Sequence, residues 1–296
     1  RWVYGAQLPS HVDACLASQD GRRSREIYLS EVAARLRAQM IPTIGFVERL
    51  VMFWSNHFYI NSLTGGPARS TVGEMERSRI RRHVLGNFGD MLKSVITHPA
   101  MIHYLQNGLS VGPASPFGRS SRRGINENLA RELLELHTVG VSAGFTQDDV
   151  ENAARVLTGW SIVTPWHGRN RWQGGTPETI GRFLFRANWQ EPGSQRVLGR
   201  SYNQAGMARG LAMLDDLALH PATAQHIAFK LVNHFITDSP TPEMVRPVAQ
   251  AFIRGSGNLV GVYRALLALP QAWQMPLRKI RTPYELILAQ RRAMGG

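Results

Sequence analysis

The strongest constraint on the fold is a helical rhythm that recurs along most of the chain and is cut repeatedly by proline and glycine. Residues 43–58 carry it most clearly. Phe46, Val47, Leu50, Val51, Phe53 and Trp54 fall at three- and four-residue spacing, which gathers them on one side of a helix turning about 100° per residue. Similar patterning predicts helices over residues 24–40, 71–95, 98–106, 126–139, 146–157, 204–219, 222–235, 242–254 and 259–269, with a tail helix from Pro283. Pro42 stops the first of these, and Pro99 sits in an opening turn where its missing N–H is harmless. Residues 107–124 are rich in Gly, Ser, Pro and Arg and read as loop. Thr146 with Asp149 reads as a capping box. Gly140 and Gly159 follow their helices where a left-handed residue is wanted.

The texture changes between residues 160 and 200. Trp160, Trp166, Trp172 and Trp189 fall there among Gly, Arg and Pro, and "RFLFR" and "QRVLG" are a candidate short hairpin. The expected fold class is therefore all-α: one multi-helical domain over 1–296 with a small irregular or β-hairpin insertion near residues 160–200.

A chain of 296 residues buries a substantial core. No run approaches the roughly 18 apolar residues of a membrane span, so no span is expected. The sequence opens at Arg1 without a signal segment, which reads as a trimmed chain. Cys15 is the only cysteine, which excludes an intrachain disulfide and a cysteine-based zinc site. Of 34 basic residues only Lys93, Lys230 and Lys279 are lysines, leaving 34 − 3 = 31 arginines, and the net charge is +13. A GC-rich genome accounts for the missing lysines but not for the shortage of acids. An anionic partner follows from the charge: acidic polysaccharide, nucleic acid or a lipid surface.

One helix concentrates the polar chemistry. In "NENLARELLELHTVG", residues 126–140, Leu129, Leu133 and Leu136 form an apolar stripe, while Glu127, Asn128, Arg131, Glu132 and Glu135 fall on the opposite arc. The plain reading is a solvated ladder, Glu127–Arg131 and Arg131–Glu135 being i,i+4 pairs worth about 0.2–0.5 kcal/mol each. The sharper reading takes Glu132 and Glu135 as neighbouring carboxylates whose proton affinities are driven apart, one an acid and the other a base or nucleophile. Asn126 and His137 lie on the apolar side, where each needs a hydrogen-bond partner.

Several blocks along the chain have a common likeness: "FWSNHF", "INENLARELLELHTVGVSAGFTQDDVENAARVLTGW", "EPGSQRVLG" and "HPATAQHIAFKLVNHF". Together they resemble the bacterial family known as domain of unknown function 1800, over about Val47 to Gly295. The resemblance implies a mainly helical, exported protein, often encoded beside a second exported protein, and a longer N-terminus than this chain has. It transfers no catalytic residues. Where the family pattern commonly has His before an acid-Pro-Gly turn, this chain has Gln190 before Glu191.

Other motifs are missing. There is no HExxH, His220 and His226 are wrongly spaced for one helix face, and neither a nucleophile elbow nor a phosphate loop occurs. No metal and no cofactor are expected. The candidate catalytic residues are Glu132, Glu135, Glu127 and His57. The candidate substrate-binding residues are Asn56, Asn126, Asn128, Arg131, Trp166, Trp172, Arg169 and Arg171, the tryptophans stacking on a ring while the arginines pair with an anionic group. Trp160, directly after Gly159, is the better core residue. The expected function is an exported hydrolase of an extracellular polymer, most plausibly an acidic or neutral polysaccharide. The alternative is a non-catalytic envelope protein that holds an acidic glycan or a partner protein, and nucleic acid ranks behind both.

Overall fold

Capping chemistry sets the helix starts in the computed structural model, which describes residues 8–40, 45–163, 179–275 and 279–294. Reciprocal capping boxes open α1 (His11–Ala17), α10 (Gln147–Val156) and α15 (Pro283–Ala293), through Ser10/Asp13, Thr146/Asp149 and Thr282/Glu285. Each satisfies N–H groups that the first turn leaves without partners. Proline occupies the opening of α7 (Pro99–Tyr104), α8 (Pro116–Ser120), α12 (Pro221–Phe235) and α13 (Pro242–Arg254). The remaining helices are α2 (Gly21–Met40), α3 (Phe46–His57), α4 (Gly66–Met75), α5 (Arg81–His83), α6 (Phe88–Ile96), α9 (Asn128–Glu132), α11 (Met207–Ala218) and α14 (Leu259–Leu267). The protein is mostly all-α, as the periodicity implies, with two small antiparallel strand pairs.

Three local expectations need correction. Residues 71–95 are not one helix. The α4 helix runs through a π turn, Glu76–Ile80, into α5, and the chain then breaks before α6. Asn87 caps α6 by accepting from the Gly89 N–H, and Gly86 and Phe88 bond across to Leu259 and Gly257. A new N-cap can restart a helix without disturbing its apolar period, so the pattern hid the break. Residues 107–124 hold a short 3₁₀ turn, Asn107–Leu109, and α8 as well as loop. The hairpin pairing also differs. The strand β1 (Trp160–Ile162) pairs with β2 (Phe183–Phe185), and β3 (Gln195–Val197) pairs with β4 (Arg200–Tyr202). The reason lies in Leu198 and Gly199, both at positive φ (48° and 78°), which make a tight turn inside "QRVLGRSY" itself.

The core joins α3, α6, α9, α11, α12, α13 and α14. Trp54 is fully buried and donates through Nε1 to the Tyr263 hydroxyl at 2.7 Å, which donates onward to the Val84 carbonyl at 2.9 Å. Both polar groups thus meet the requirement that buried donors be paired. A second set of contacts ties α2 and α3 to the α4 segment: Arg81 grips Glu48 with two N–H groups and reaches Glu76, Glu76 also takes Ser55 and Arg35, and Arg77 holds Glu31 at 2.7 Å. Removing one member would strand a buried charge, which costs more than the pair itself contributes.

Candidate functional site

The helix of residues 126–140 turns out to be two kinds of helix in sequence. From Asn128 to Glu132 it is α-helical; from Leu133 to His137 it is a π turn. One extra residue per turn rotates everything after it. Leu136, on the apolar stripe of a regular wheel, is therefore 46% exposed, whereas His137 is 1% exposed. The Thr138 hydroxyl and the Gly140 N–H bond to the carbonyls of Leu133 and Leu134 and close the turn.

His137, on the apolar side as the wheel has it, lies against the C-terminal end of α3 and against α12. His57 Nε2 lies 3.2 Å from the His137 carbonyl, an acceptor, so Nε2 carries the proton. Its Nδ1 is then a lone pair, and it accepts from the Lys230 ammonium at 2.9 Å. His226, four residues before Lys230 on the same face of α12, donates through Nε2 to the Leu136 carbonyl at 3.2 Å. Gly140 makes this approach possible: a Cβ there would lie 2.6 Å from His226 Nδ1. The imidazoles of His137 and His226 lie with ring centroids 5.8 and 6.4 Å from His57. Both His137 nitrogens are buried without a hydrogen-bond partner, and Glu132 Oε2, at 4.0 Å from Nε2, is too far for a direct bond.

The electrostatics follow from this packing. Burial, then the Lys230 charge, pushes His137 down to about 3 and His57 well below its ordinary value. Burial lowers Lys230 to about 8. Burial and the neighbouring Glu135 charge raise Glu132, which in turn helps to raise Tyr104. Glu132 and Lys230 thus stand at the two ends of a row formed by His137 and His57, and each is shifted by its own surroundings rather than by the other. Perturbed groups of this kind occur both in acid–base sites and in structural networks.

The sequence candidates divide accordingly. Glu132 and His57 belong to this cluster. Glu127, Arg131 and Glu135 form the ladder, with Arg131 2.9 Å from Glu127 and 3.5 Å from Glu135 and Gln147 bonding to both Glu127 and Arg131. Asn126 caps the helix start, accepting from the Asn128 N–H, and Asn56 and Asn128 are exposed. Trp166, Trp172, Arg169 and Arg171 lie outside the described residues. Trp160 is fully buried, as its place after Gly159 implies. Two residues went unremarked as a pair, Lys230 and His226. The signal was present: Lys230 is one of three lysines in a chain that otherwise uses arginine, and it stands four residues from a histidine.

A second histidine cluster sits between α1, α4 and α7. His11, Glu74 and His98 place ligand-type atoms within 4.8 Å of one another. Glu74 Oε2 lies 2.9 Å from His11 Nδ1 and 2.8 Å from His98 Nε2. His98 Nδ1 accepts the Ala100 N–H, so its Nε2 carries a proton directed at Glu74. A ring that donates toward the centre is not a metal ligand, because ligating imidazoles donate from the other nitrogen. His11 Nε2 faces Cys15 Sγ at 3.7 Å, giving the order thiol, imidazole, carboxylate of a cysteine nucleophile. Gly181 packs against that thiol, however, since a Cβ there would lie 2.1 Å from Sγ, and Cys15 is only 3% exposed. The cluster anchors α1.

No helix among the described residues is long and apolar enough to cross a membrane. No curated protein and no solved structure matches the chain. The profile of the family described as "Protein of unknown function (DUF1800)" matches residues 5–295, in accord with the sequence blocks quoted above. The chain belongs to the DUF1800 family.

Proposed function

We propose that this protein is a hydrolase of an extracellular polymer, with Glu132 and Lys230 as its working acid–base pair. One observation carries the reading: a carboxyl raised by burial and by Glu135 lies one imidazole away from the His57–Lys230 pair, in which the lysine is lowered to about 8. Between these two values Glu132 is ionised and Lys230 protonated. Glu132 then takes the proton of the attacking water, and Lys230, held by His57 Nδ1, gives a proton to the leaving oxygen. Glu135 tunes Glu132 by its charge while it remains in the Arg131 ladder. A polysaccharide substrate and an exported address rest on the +13 charge and on the family likeness.

The test is hydrolysis of a panel of acidic and neutral polysaccharides, read as new reducing ends. Glu132→Gln is expected to reduce turnover by about 10²–10⁴-fold with the melting temperature unchanged. Wild-type protein that releases no product from any polymer, or a Glu132→Gln protein that releases it normally, overturns the reading. The second reading, a non-catalytic envelope protein that holds an acidic glycan or a second exported protein, is favoured by the completeness of the Glu127–Arg131–Glu135–Gln147 ladder. It requires binding without product.

A further inference from the structure

The face of α12 that carries His226 and Lys230 continues to His234, again four residues on, about 6 Å further along the helix. His234 leaves the acid–base cluster and lines a cavity of about 280 Å³ between α3, α12 and α15. Phe53 links the two places, stacking on His57 at 6.3 Å and meeting His234 edge-on at 5.4 Å.

The charge of this cavity is lopsided. Arg49, Arg281, Arg292 and Lys279 line it against one carboxylate, Glu285. That carboxylate is already engaged, accepting the Thr282 N–H and hydroxyl at 2.9 Å each. Two of the cations are also engaged, Lys279 with Asp238 and Arg292 with the Gln39 carbonyl at 2.8 Å. Arg49 and Arg281 make no hydrogen bond or close ion pair among the described residues. Both are exposed at the rim, and Arg49 lies near enough to Glu285 to help lower it, so the rim presents more guanidinium charge than the one carboxylate offsets, a setting that suits an anion. Gln271 stands beside them. Its side-chain oxygen is buried without a hydrogen-bond partner, while the residue as a whole lines the cavity and is only partly buried.

We propose that this cavity is a binding subsite for one acidic sugar unit of the polymer, with Arg49 and Arg281 on its carboxylate or sulfate. This rests on the proposed hydrolase reading for the polymer but not for the anion. The volume suits a single ring rather than a long stretch of chain, lying below the about 300–1,000 Å³ of ordinary ligand sites.

The test is titration calorimetry with oligogalacturonate, with neutral glucose oligomers and with inorganic phosphate. Wild-type protein is expected to bind the acidic oligomer and not the neutral one. Replacing both arginines (Arg49→Gln with Arg281→Gln) should weaken that binding by about tenfold to a hundredfold. Arg281→Gln alone, at an exposed position, should weaken it without altering the melting curve. Glu132→Gln should bind normally. Equal binding of neutral oligomers, or unchanged binding in the double variant, overturns the subsite. Inorganic phosphate binding as tightly as the oligomer and displacing it would assign the cavity to a free anion and overturn the sugar. Acidic-oligomer binding with no turnover leaves the subsite standing while the hydrolase reading fails; turnover without arginine-dependent binding does the reverse.

Discussion

At Lys230 two opposing effects decide what a substitution does. Burial lowers the lysine from 10.5 to about 8, so holding the ammonium in the fold costs at most about 3 kcal/mol at neutral pH. Lys230→Met removes that cost but leaves His57 Nδ1 without its donor, a loss of about 1–3 kcal/mol. The expected result is a melting temperature unchanged or slightly raised together with lost turnover. A clear fall in melting temperature would mean that the ammonium is structural. The pH profile has a definite sign. Glu132 must be ionised, so the rate rises as pH climbs through its raised value; Lys230 must be protonated, so the rate falls above about 8. Lys230→Arg keeps the charge but has no proton to give at these pH values, so it should lose turnover as Lys230→Met does. Turnover that survives in the arginine variant assigns the proton elsewhere. Of this cluster, Glu132 and His57 were singled out from residue type and position, and the structure places both in it. Lys230 was visible only as a rare letter, because nothing in one dimension shows which imidazole an amine will meet.

At the scale of the element, the π turn Leu133–His137 matters most. A regular wheel puts both Leu136 and His137 inside; the turn leaves His137 buried and puts Leu136 outside. The extra residue is invisible to any fixed period, since the leucines still look helical. Gly159, by contrast, was readable: it sits at φ 80° and hands the chain from α10 to β1. Trp160 there is fully buried, Phe183 meets it edge-on at 5.1 Å, and Asn107 donates to its carbonyl at 2.9 Å. Gly210 lies so close that a Cβ would fall 2.2 Å from the indole. Trp160→Ala should therefore cost about 3–5 kcal/mol as a cavity with little collapse, measured by denaturant unfolding. A cost below about 1 kcal/mol would show that the strand pair is dispensable to the core.

For the whole molecule, buried imidazoles set the acid limit. Burial lowers His98 to about 4 and His137 to about 3, and it lowers His57 as well. Each is uncharged in the fold but charges readily once unfolded, so stability declines as pH falls below about 6.5 toward those values. His98 alone accounts for on the order of 3 kcal/mol by pH 4. Glu74, held low by His11 and His98 against its own burial, adds further loss at still lower pH. His11 has the opposite sign. Hydrogen bonds to Cys15 and Glu74 raise it to about 10, so its contribution is complete below about 6.5 and disappears as pH rises through about 10. Thermal melting against pH should accordingly fall from pH 6.5 to 4, with a second decline from about pH 6.5 up to about 10, where it levels off, that His11→Ala removes. A flat profile from pH 7 to 4 would contradict the burial of the three rings.

The sequence by itself determined most of the longer helices, many of their ends and the helix-rich class, because apolar period, prolines in first turns and capping residues act within a few positions of one another. The interrupted second half of "RELLELH", the break at Asn87 and the pairing of "QRVLG" with its own continuation depended on hydrogen bonds and turns that the apolar period does not register. Only the tertiary structure decided which imidazoles surround Lys230 and which arginines face one cavity. Those meetings join residues such as His57 and Lys230, 173 positions apart in the chain, and a proton's affinity for either depends on burial that no local pattern encodes.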